Sequence, residues 1–366
     1  MNVCILGNGL ISLSLAKNLI NKKINVDIYY KKRNLNKLSS TRTIGIAKSN
    51  LEFFRNEILQ IAEKDVWPIK NIKIYSEKIK KEEIFNFQDN NKNLFYMIKN
   101  DKFYNLLNSK LFKSKLFKKL IIKNDNLYQK LLKEKKYDLI INCDQGNFLS
   151  KKYFSKTIGK DYDNLAFTTI IEHEVLENNI AVQIFTKYGP IAFLPISNSQ
   201  TSVVYSFEIK NRKYKDDQIL ELIKNNNLTY KIKKIHSINS FKLKSSIPRS
   251  YYYKNILAFG DLLHQIHPLA GQGFNMTIRD IKILLEIIKN KIDVGLLLDS
   301  SVSLEFQKEI KHKNFIFSNG IDLIHEFFNI ERKMKSNFLS KSVKLISNYP
   351  RINKMFSEIA DRGVLF

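Results

Sequence analysis

Residues 256–281 read ILAFGDLLHQIHPLAGQGFNMTIRDI. The apolar run Ile256-Leu257-Ala258-Phe259 has the length of a buried strand and stops at Gly260-Asp261. A loop holding His264, His267, Pro268 and Gly271 follows, and from about Asn275 apolar residues recur at helical spacing. Gly271, Gln272 and Gly273 therefore stand where a loop feeds a helix N-terminus. Unpaired backbone N–H groups and the positive end of the helix dipole gather there, a station suited to a group that becomes negative.

Working outward to the other end of the chain, residues 2–6 (NVCIL) form an apolar strand, Gly7-Asn8-Gly9 follows, and Leu10, Ile11, Leu13, Ala16, Leu19 and Ile20 mark a helix. Strand, G-x-G turn and helix make the first half of a dinucleotide-binding unit, with Gly7 for the tight turn and Gly9 for backbone approach to a pyrophosphate. Ser12 stands in place of the third glycine. The next strand, Asn25 to Tyr30, should end in an acid that bonds a ribose hydroxyl, but Tyr30, Lys31 and Lys32 occupy that point. Taken singly, the G-x-G reads equally well as a Gly-rich turn.

Together the two stretches resemble the second and first FAD motifs of the class A flavoprotein aromatic hydroxylases, and within them the ubiquinone-biosynthesis hydroxylases. Gly260, Asp261, His264, Pro268, Ala270, Gly271, Gln272, Gly273, Asn275, Arg279 and Asp280 match that subgroup's pattern. FTKYGPIAFLPIS is similar to a middle segment of the subgroup through Phe185, Thr186, Gly189, Pro190, Ala192, Leu194 and Pro195. STRTIGIAKSN resembles the Arg-containing segment after the second strand and puts Arg42 at the matching position. The resemblance runs over nearly the whole chain in the same order.

One segment departs from the pattern. Where the family carries A-D-G-x-x-S-x-x-R, this chain has a strand (Leu139 to Cys143) and Asp144, but Gln145 replaces the glycine, Gly146 comes one position late, and Lys151 or Lys152 replaces the arginine. That segment is associated with both FAD and the nicotinamide donor.

At 366 residues and 44% apolar composition the chain suits two ordinary globular domains. Cys4 and Cys143 are its two cysteines, each in a strand-like run, which argues for a reducing compartment and against a disulfide framework. No run of 18 apolar residues reads as a membrane span, and the N-terminal run lacks the basic start of a signal peptide. The net charge of +26 is spread along the chain among Asn and Ile, which points first to compositional bias. Attraction to an anionic membrane surface comes second, at about 1 kcal/mol per nearby Lys or Arg. Nucleic acid comes a distant third, for want of a clustered basic face. No His/Cys/Asp grouping has metal spacing; in Glu172-His173-Glu174 the carboxylates fall on one strand face and the imidazole on the other.

The expected fold is α/β: a Rossmann-like FAD-binding domain from residues 1–75, 100–163 and 245–366, with an inserted antiparallel-sheet substrate domain from 76–99 and 164–244, and C-terminal helices. Runs such as LAFTTIIEHEV, IAVQIFTKYG and TSVVYSFEI read as successive antiparallel strands, 213–225 as an amphipathic helix, and the stretches after residue 270 as long helices. Phe315, Phe317, Phe327 and Phe328 are expected in helix core.

Through the resemblance, Gly7, Gly9, Arg42, Asp144, Gly260, Asp261, Gly271, Gln272, Gly273 and Asn275 are expected to bind cofactor, His264 and Pro268 to serve catalysis, and Gly189 and Pro190 to face substrate. Plainer readings stand beside these: His264 as a satisfied surface donor, Asp261 as a turn cap, Pro190 and Pro195 as strand-edge punctuation, Arg42 as a surface residue. The implied reaction uses FAD, NAD(P)H as electron donor and O2 to hydroxylate a polyprenylated phenol or quinone precursor. The cofactor carries the chemistry and the protein supplies binding, orientation and electrostatics. A cytoplasmic enzyme peripheral to the inner membrane, working beside other quinone-biosynthesis enzymes and without nucleic acid, follows from it. The altered Asp144-Gln145-Gly146 segment keeps open a degenerate, non-catalytic subunit of a quinone-biosynthesis assembly. A dehydrogenase or halogenase on the same fold is weaker, since the single Trp67 lies outside any halogenase motif.

Overall fold

The computed structural model describes residues 1–32, 41–79, 82–88, 93–208, 214–266, 272–333 and 340–342, with 344, 358 and 361. In chain order these form β1 (Asn2–Leu6), α1 (Leu10–Asn21), β2 (Asn25–Tyr30), β3 (Thr43–Ala47), α2 (Lys48–Phe53), β4 (Trp67–Ile69), β5 (Asn71–Ser76), β6 (Glu82–Gln88) and β7 (Phe95–Lys99). Next come α3 (Asn100–Leu111), β8 (Phe117–Ile121), α4 (Asn126–Lys133), β9 (Leu139–Asn142) and α5 (Phe148–Tyr153). The strands β10 (Thr157–His173), β11 (Ile180–Thr186), β12 (Gly189–Pro195) and β13 (Gln200–Glu208) follow, then α6 (Asp216–Asn226). The chain finishes with β14 (Ile232–Ile235), β15 (Asn239–Pro248), β16 (Tyr252–Tyr253), β17 (Ile256–Ala258), α7 (Gln272–Asp293) and α8 (Ser300–Lys333).

A six-stranded sheet in the order β16-β17-β9-β1-β2-β8 is parallel except for β16. Its central strands are apolar on both faces: Val3 to Leu6, Leu139 to Ile141 and Ile256 to Ala258 have no exposed surface. That is the signature of a parallel sheet covered by helices on both sides. The chain leaves β1 toward β2 and β8 on one side and later returns to β9 and β17 on the other. The switch point, where α/β sheets hold ligands at the strands' carboxyl ends, thus lies between β1 and β9.

A second sheet runs β14-β10-β13-β12-β11-β5-β6, with β15 also paired to β10, and is antiparallel apart from the parallel pair β5–β11. Period-two alternation divides its faces. Phe167, Ile184, Ile191, Phe193, Val203, Tyr205 and Phe207 pack together with Ile219 and Ile223 of α6. The opposite face carries shorter side chains, with Thr168, Val204, Ala192 and Gln183 in register across four strands. A small sheet, β3-β7-β4, stands beside them. The division expected at residue 75 falls within β5, which pairs wholly in the large sheet, and β7 pairs with β3 and β4.

Phe317 is buried as expected, but Phe315 is 46% exposed, because α8 turns that position outward. Both cysteines are free thiols. Among the described residues, no helix is long and apolar enough to cross a membrane, and no cluster of three His, Cys, Asp or Glu residues could hold a metal ion.

Candidate functional site

Three loops meet at the switch point. Gly7 has φ +118°, and a Cβ there would lie 3.2 Å from Ser12 Oγ and 3.4 Å from the Cys143 carbonyl carbon, so only glycine fits without strain. Gly9 is different: it caps α1 in an extended conformation, and a Cβ added to it would meet nothing within 4 Å. No side chain caps α1, and no acidic residue occupies its first turn. The first amides of α1 are therefore left uncapped by any side chain among the described residues, as an anion site requires.

Beside them lies a crevice of about 410 Å³ lined by Cys143, Asp144, Gln145, Gly146, Lys244 and Asp261. Gly260, with φ +62°, brings the third loop against α1; a Cβ there would stand 3.3 Å from Ile11 Cγ2. The next residue, Asp261, is exposed at the crevice. Asp144 is half-buried, and its Oδ1 accepts from Gly146 N at 2.9 Å, which closes a local side-chain turn. Asn147 then caps α5 by accepting from Ser150 N at 2.8 Å. Burial, with the nearby Asp261 and Asp144 carboxylates, pushes the Cys143 thiol up to about 12.

The residue in the missing glycine's place has work of its own. Gln145 Nε2 donates to the Asp261 carbonyl, while its Oε1 accepts from Gln265 Nε2 at 3.0 Å. Gln265 is in turn bridged to Ser246 of β15 through both backbone groups. Sequence reasoning missed this tie, and Lys244 with it, because the partners lie 116 and 120 residues apart.

Pro268 and Gly271 lie outside the described residues, as do His267 and Ala270. Gln272 and Gly273 open α7, three residues before the expected start, and Gln272 Oε1 is buried with no partner among the described residues. The Asn275 side chain faces β3: Oδ1 accepts from Ala47 N at 2.8 Å and from Asn50 Nδ2 at 3.1 Å, and Nδ2 donates to Gly45 O at 3.0 Å. It stitches the start of α7 to the strand that Arg42 introduces. The Arg42 residue is exposed, and its carbonyl accepts from Asn100 N at 3.0 Å.

His264 is not a surface donor. It is 2% exposed, and its Nε2 lies 2.5 Å from Asp280 Oδ2 in a buried pair, with Asn314 Nδ2 3.3 Å from the other carboxylate oxygen. His264 Nδ1 is buried with no partner among the described residues. This arrangement fixes the loop to α7 and withholds the imidazole from solvent.

Gly189 and Pro190 begin β12. Gly189 has φ +140°, and a Cβ would sit 2.1 Å from Ser206 O, so β13 approaches too closely for any side chain. Pro190 pairs with Phe185, which packs with Met276 of α7, Phe317 and Ile321 of α8, and Ile266. The second sheet thereby touches both sides of the loop that precedes α7.

No protein-family model matches the chain. It is 23% identical over 261 residues to the mitochondrial ubiquinone biosynthesis monooxygenase COQ6 of Dictyostelium discoideum, covering 57% of this chain and 53% of that protein. Over 161 residues it is 28% identical to the 3-demethoxyubiquinol 3-hydroxylase of Escherichia coli K12, covering 40% and 39%. The chain thus spans about half the length, or less, of these curated relatives. In structure it is similar to the p-nitrophenol 4-monooxygenase PnpA of Pseudomonas putida, with a TM-score of 0.73 at 12% identity over 99% and 98% of the two chains. Klebsiella pneumoniae HpxO, solved with FAD and uric acid, gives 0.73 at 10% over 98% and 96%. The chain therefore resembles the ubiquinone-biosynthesis hydroxylases in sequence and has the fold of the FAD-dependent monooxygenases, a Rossmann-like domain joined to a largely antiparallel sheet.

Proposed function

We propose that this protein is an FAD-dependent monooxygenase that hydroxylates the aromatic ring of a polyprenylated phenol in ubiquinone biosynthesis, with NAD(P)H as electron donor and O2 as co-substrate. The observation that carries the reading is the meeting, at the switch point of a parallel sheet, of Gly7 with the Cys143–Asp144 loop and of Gly260 with α1, beside a crevice lined by Asp144 and Asp261. The residues present fit a flavin dinucleotide: uncapped α1 amides behind an open Gly9, an exposed carboxylate at Asp261, and a buried Gln272 Oε1 at the head of α7 with no partner among the described residues. Bound there, FAD would pass electrons from NAD(P)H to O2 and deliver a hydroxyl group to an electron-rich ring.

The chain's own part is binding and orientation. The α1 amides above Gly9 would hold the diphosphate, and Asp261 would accept from ribityl hydroxyls. Backbone amides from Gln272 to Asn275, at the positive end of α7, would stabilise negative charge on the ring edge. Asn275 keeps that helix start in register with β3, and Arg42, just ahead of that strand, would reach the cofactor from there. His264, committed to Asp280, serves as a positioning residue for the loop, and Pro268 would shape the substrate side of it. Gly189 and Pro190 would face the substrate ring from the large sheet, on whose same face lie the register neighbours Ala192, Val204 and Thr168. A closed space between sheet and helices would exclude water from the reacting ring.

In this reading residues 1–75, 100–163 and 245–366 form the cofactor half and 76–99 with 164–244 the substrate half, save that β5 joins the latter because it pairs with β11 and β7 the former because it pairs with β3 and β4. A long apolar tail would leave toward a bilayer, which a basic chain of +26 could approach as a peripheral protein. The non-catalytic alternative is not favoured, since both relatives described above carry the names of oxygenating enzymes. The test is a purified chain supplied with FAD, NADH or NADPH, O2 and a short-chain prenyl phenol. Phenol-dependent NAD(P)H oxidation and a product heavier by one oxygen are expected. A chain that binds FAD yet gives neither would refute the reading.

A further inference from the structure

The point where β2 ends lacks the carboxylate that dinucleotide folds use for the ribose, yet it is not empty of chemistry. Lys119 on β8 is half-buried there, its Nζ 5.4 Å from the centroid of the Tyr30 ring, 5.5 Å from Tyr104 and 5.6 Å from Phe112. It donates to Tyr104 Oη at 3.2 Å and to Asn108 Oδ1 at 2.8 Å, both neutral acceptors. Among the described residues no carboxylate pairs with it. Desolvation draws its ammonium below the usual lysine range, as expected for a cation held without a counter-charge.

The hydrogen bonds beyond Lys119 have a fixed direction. An ammonium can only donate, so Tyr104 Oη accepts from Lys119 and must spend its own proton elsewhere. That proton goes to Asn8 Oδ1 at 2.9 Å. The oxygen of the Asn8 amide is thereby committed, and its NH2 group is left to donate beside the Gly7-Asn8-Gly9 turn. Tyr104 places Lys119 Nζ about 6 Å at most from Asn8 Oδ1. Of the three ammonium donors two have acceptors, and the third meets no oxygen among the described residues.

We propose that Lys119, with Tyr104 and Asn8, holds the ribose–diphosphate arm of the dinucleotide's ADP moiety, a cationic substitute for the carboxylate missing after β2. The inference rests on the flavin reading and adds to it a residue, Lys119, that the sequence pattern does not mark. A half-buried charge without a counter-charge costs stability in the empty protein, and an anionic ligand relieves that cost. The same cation would make dinucleotide binding more sensitive to salt than a carboxylate-to-hydroxyl contact could.

The experiment measures binding, not turnover. Affinities of the purified chain for FAD, ADP and riboflavin are determined by fluorescence titration and calorimetry at low and high salt, for wild type, Lys119→Met and Tyr104→Phe. Thermal melts of the ligand-free proteins run alongside. Lys119→Met should weaken FAD and ADP by about tenfold or more, the value of a charge-assisted hydrogen bond, and flatten their salt dependence. It should leave riboflavin binding unchanged and should not lower the ligand-free melting temperature. Tyr104→Phe, which keeps the charge but loses the relay, should show a smaller loss on FAD and ADP. Unchanged ADP binding in Lys119→Met, equal loss of ADP and riboflavin, or a collapsed ligand-free melt would each overturn the proposal. Wild type that binds neither FAD nor ADP would sink the flavin reading itself, and this inference with it.

Discussion

Replacing Gly9 by alanine separates a cradle from a mere turn. The residue has φ −87° and ψ 176°, which alanine adopts freely, and its added methyl would meet no protein atom within 4 Å. The ligand-free protein should be unaffected or gain about 0.4–1 kcal/mol from the lost chain entropy of glycine. The methyl would nevertheless stand over the first amides of α1. If a diphosphate sits there, one or two charge-assisted hydrogen bonds lengthen or break, at roughly 1.5–3 kcal/mol each. The expected loss is about 2–4 kcal/mol, a ~30- to ~1000-fold rise in the Kd for FAD at 1.4 kcal/mol per tenfold. Gly7→Ala is the contrasting control. Its φ of +118° and the 3.2 Å approach to Ser12 Oγ should cost the ligand-free protein about 1–3 kcal/mol. Denaturant melts without ligand and fluorescence titration with FAD read both quantities. A Gly9→Ala protein that binds FAD as wild type does would show that the turn is no cradle, and the reasoning from free space to ligand would fail.

Asn275→Ala strips a buried partner from Ala47 N and from Gly45 O, so a stability loss of about 2–5 kcal/mol in urea melts is expected; a loss under 1 kcal/mol would mean that the stitch to β3 is idle. Gly189→Ala, with a Cβ only 2.1 Å from Ser206 O, should force β12 from β13 and lower the melting temperature by more than any neighbouring Ala substitution in that strand. The Cys143 thiol, raised to about 12, gives a pH test. The folded state keeps a proton that the unfolded chain releases from about pH 9, so this contribution is fully present below that pH and is lost as pH rises toward 12. Cys143→Ala should flatten part of the decline in stability over that window, and wild-type Cys143 should alkylate slowly at pH 8 for want of thiolate; rapid modification of Cys143 at that pH would contradict the raised thiol.

The sequence alone determined the strands and helices whose periodicity is local. β1, β2 and β17 are apolar runs closed by Gly or Tyr, and their ends fall within a residue of where alternation and turn residues placed them. The glycines carried equally direct information, since a left-handed or crowded backbone at Gly7, Gly189 and Gly260 admits no side chain. Only the tertiary structure decided which residues act together. His264 reads as a loop histidine until α7 swings Asp280 against it, and the grip of the Asn275 side chain on β3 is visible only once that strand lies alongside. Gln145 looked like erosion of a motif, but its partners Asp261 and Gln265 are more than a hundred residues away. Lys119 is one lysine among many in a chain of +26, and nothing in its neighbourhood along the sequence marks it. Periodicity and backbone sterics are written in adjacent residues, whereas hydrogen-bond pairing and desolvation depend on what the folded sheet brings alongside, and no local pattern encodes that.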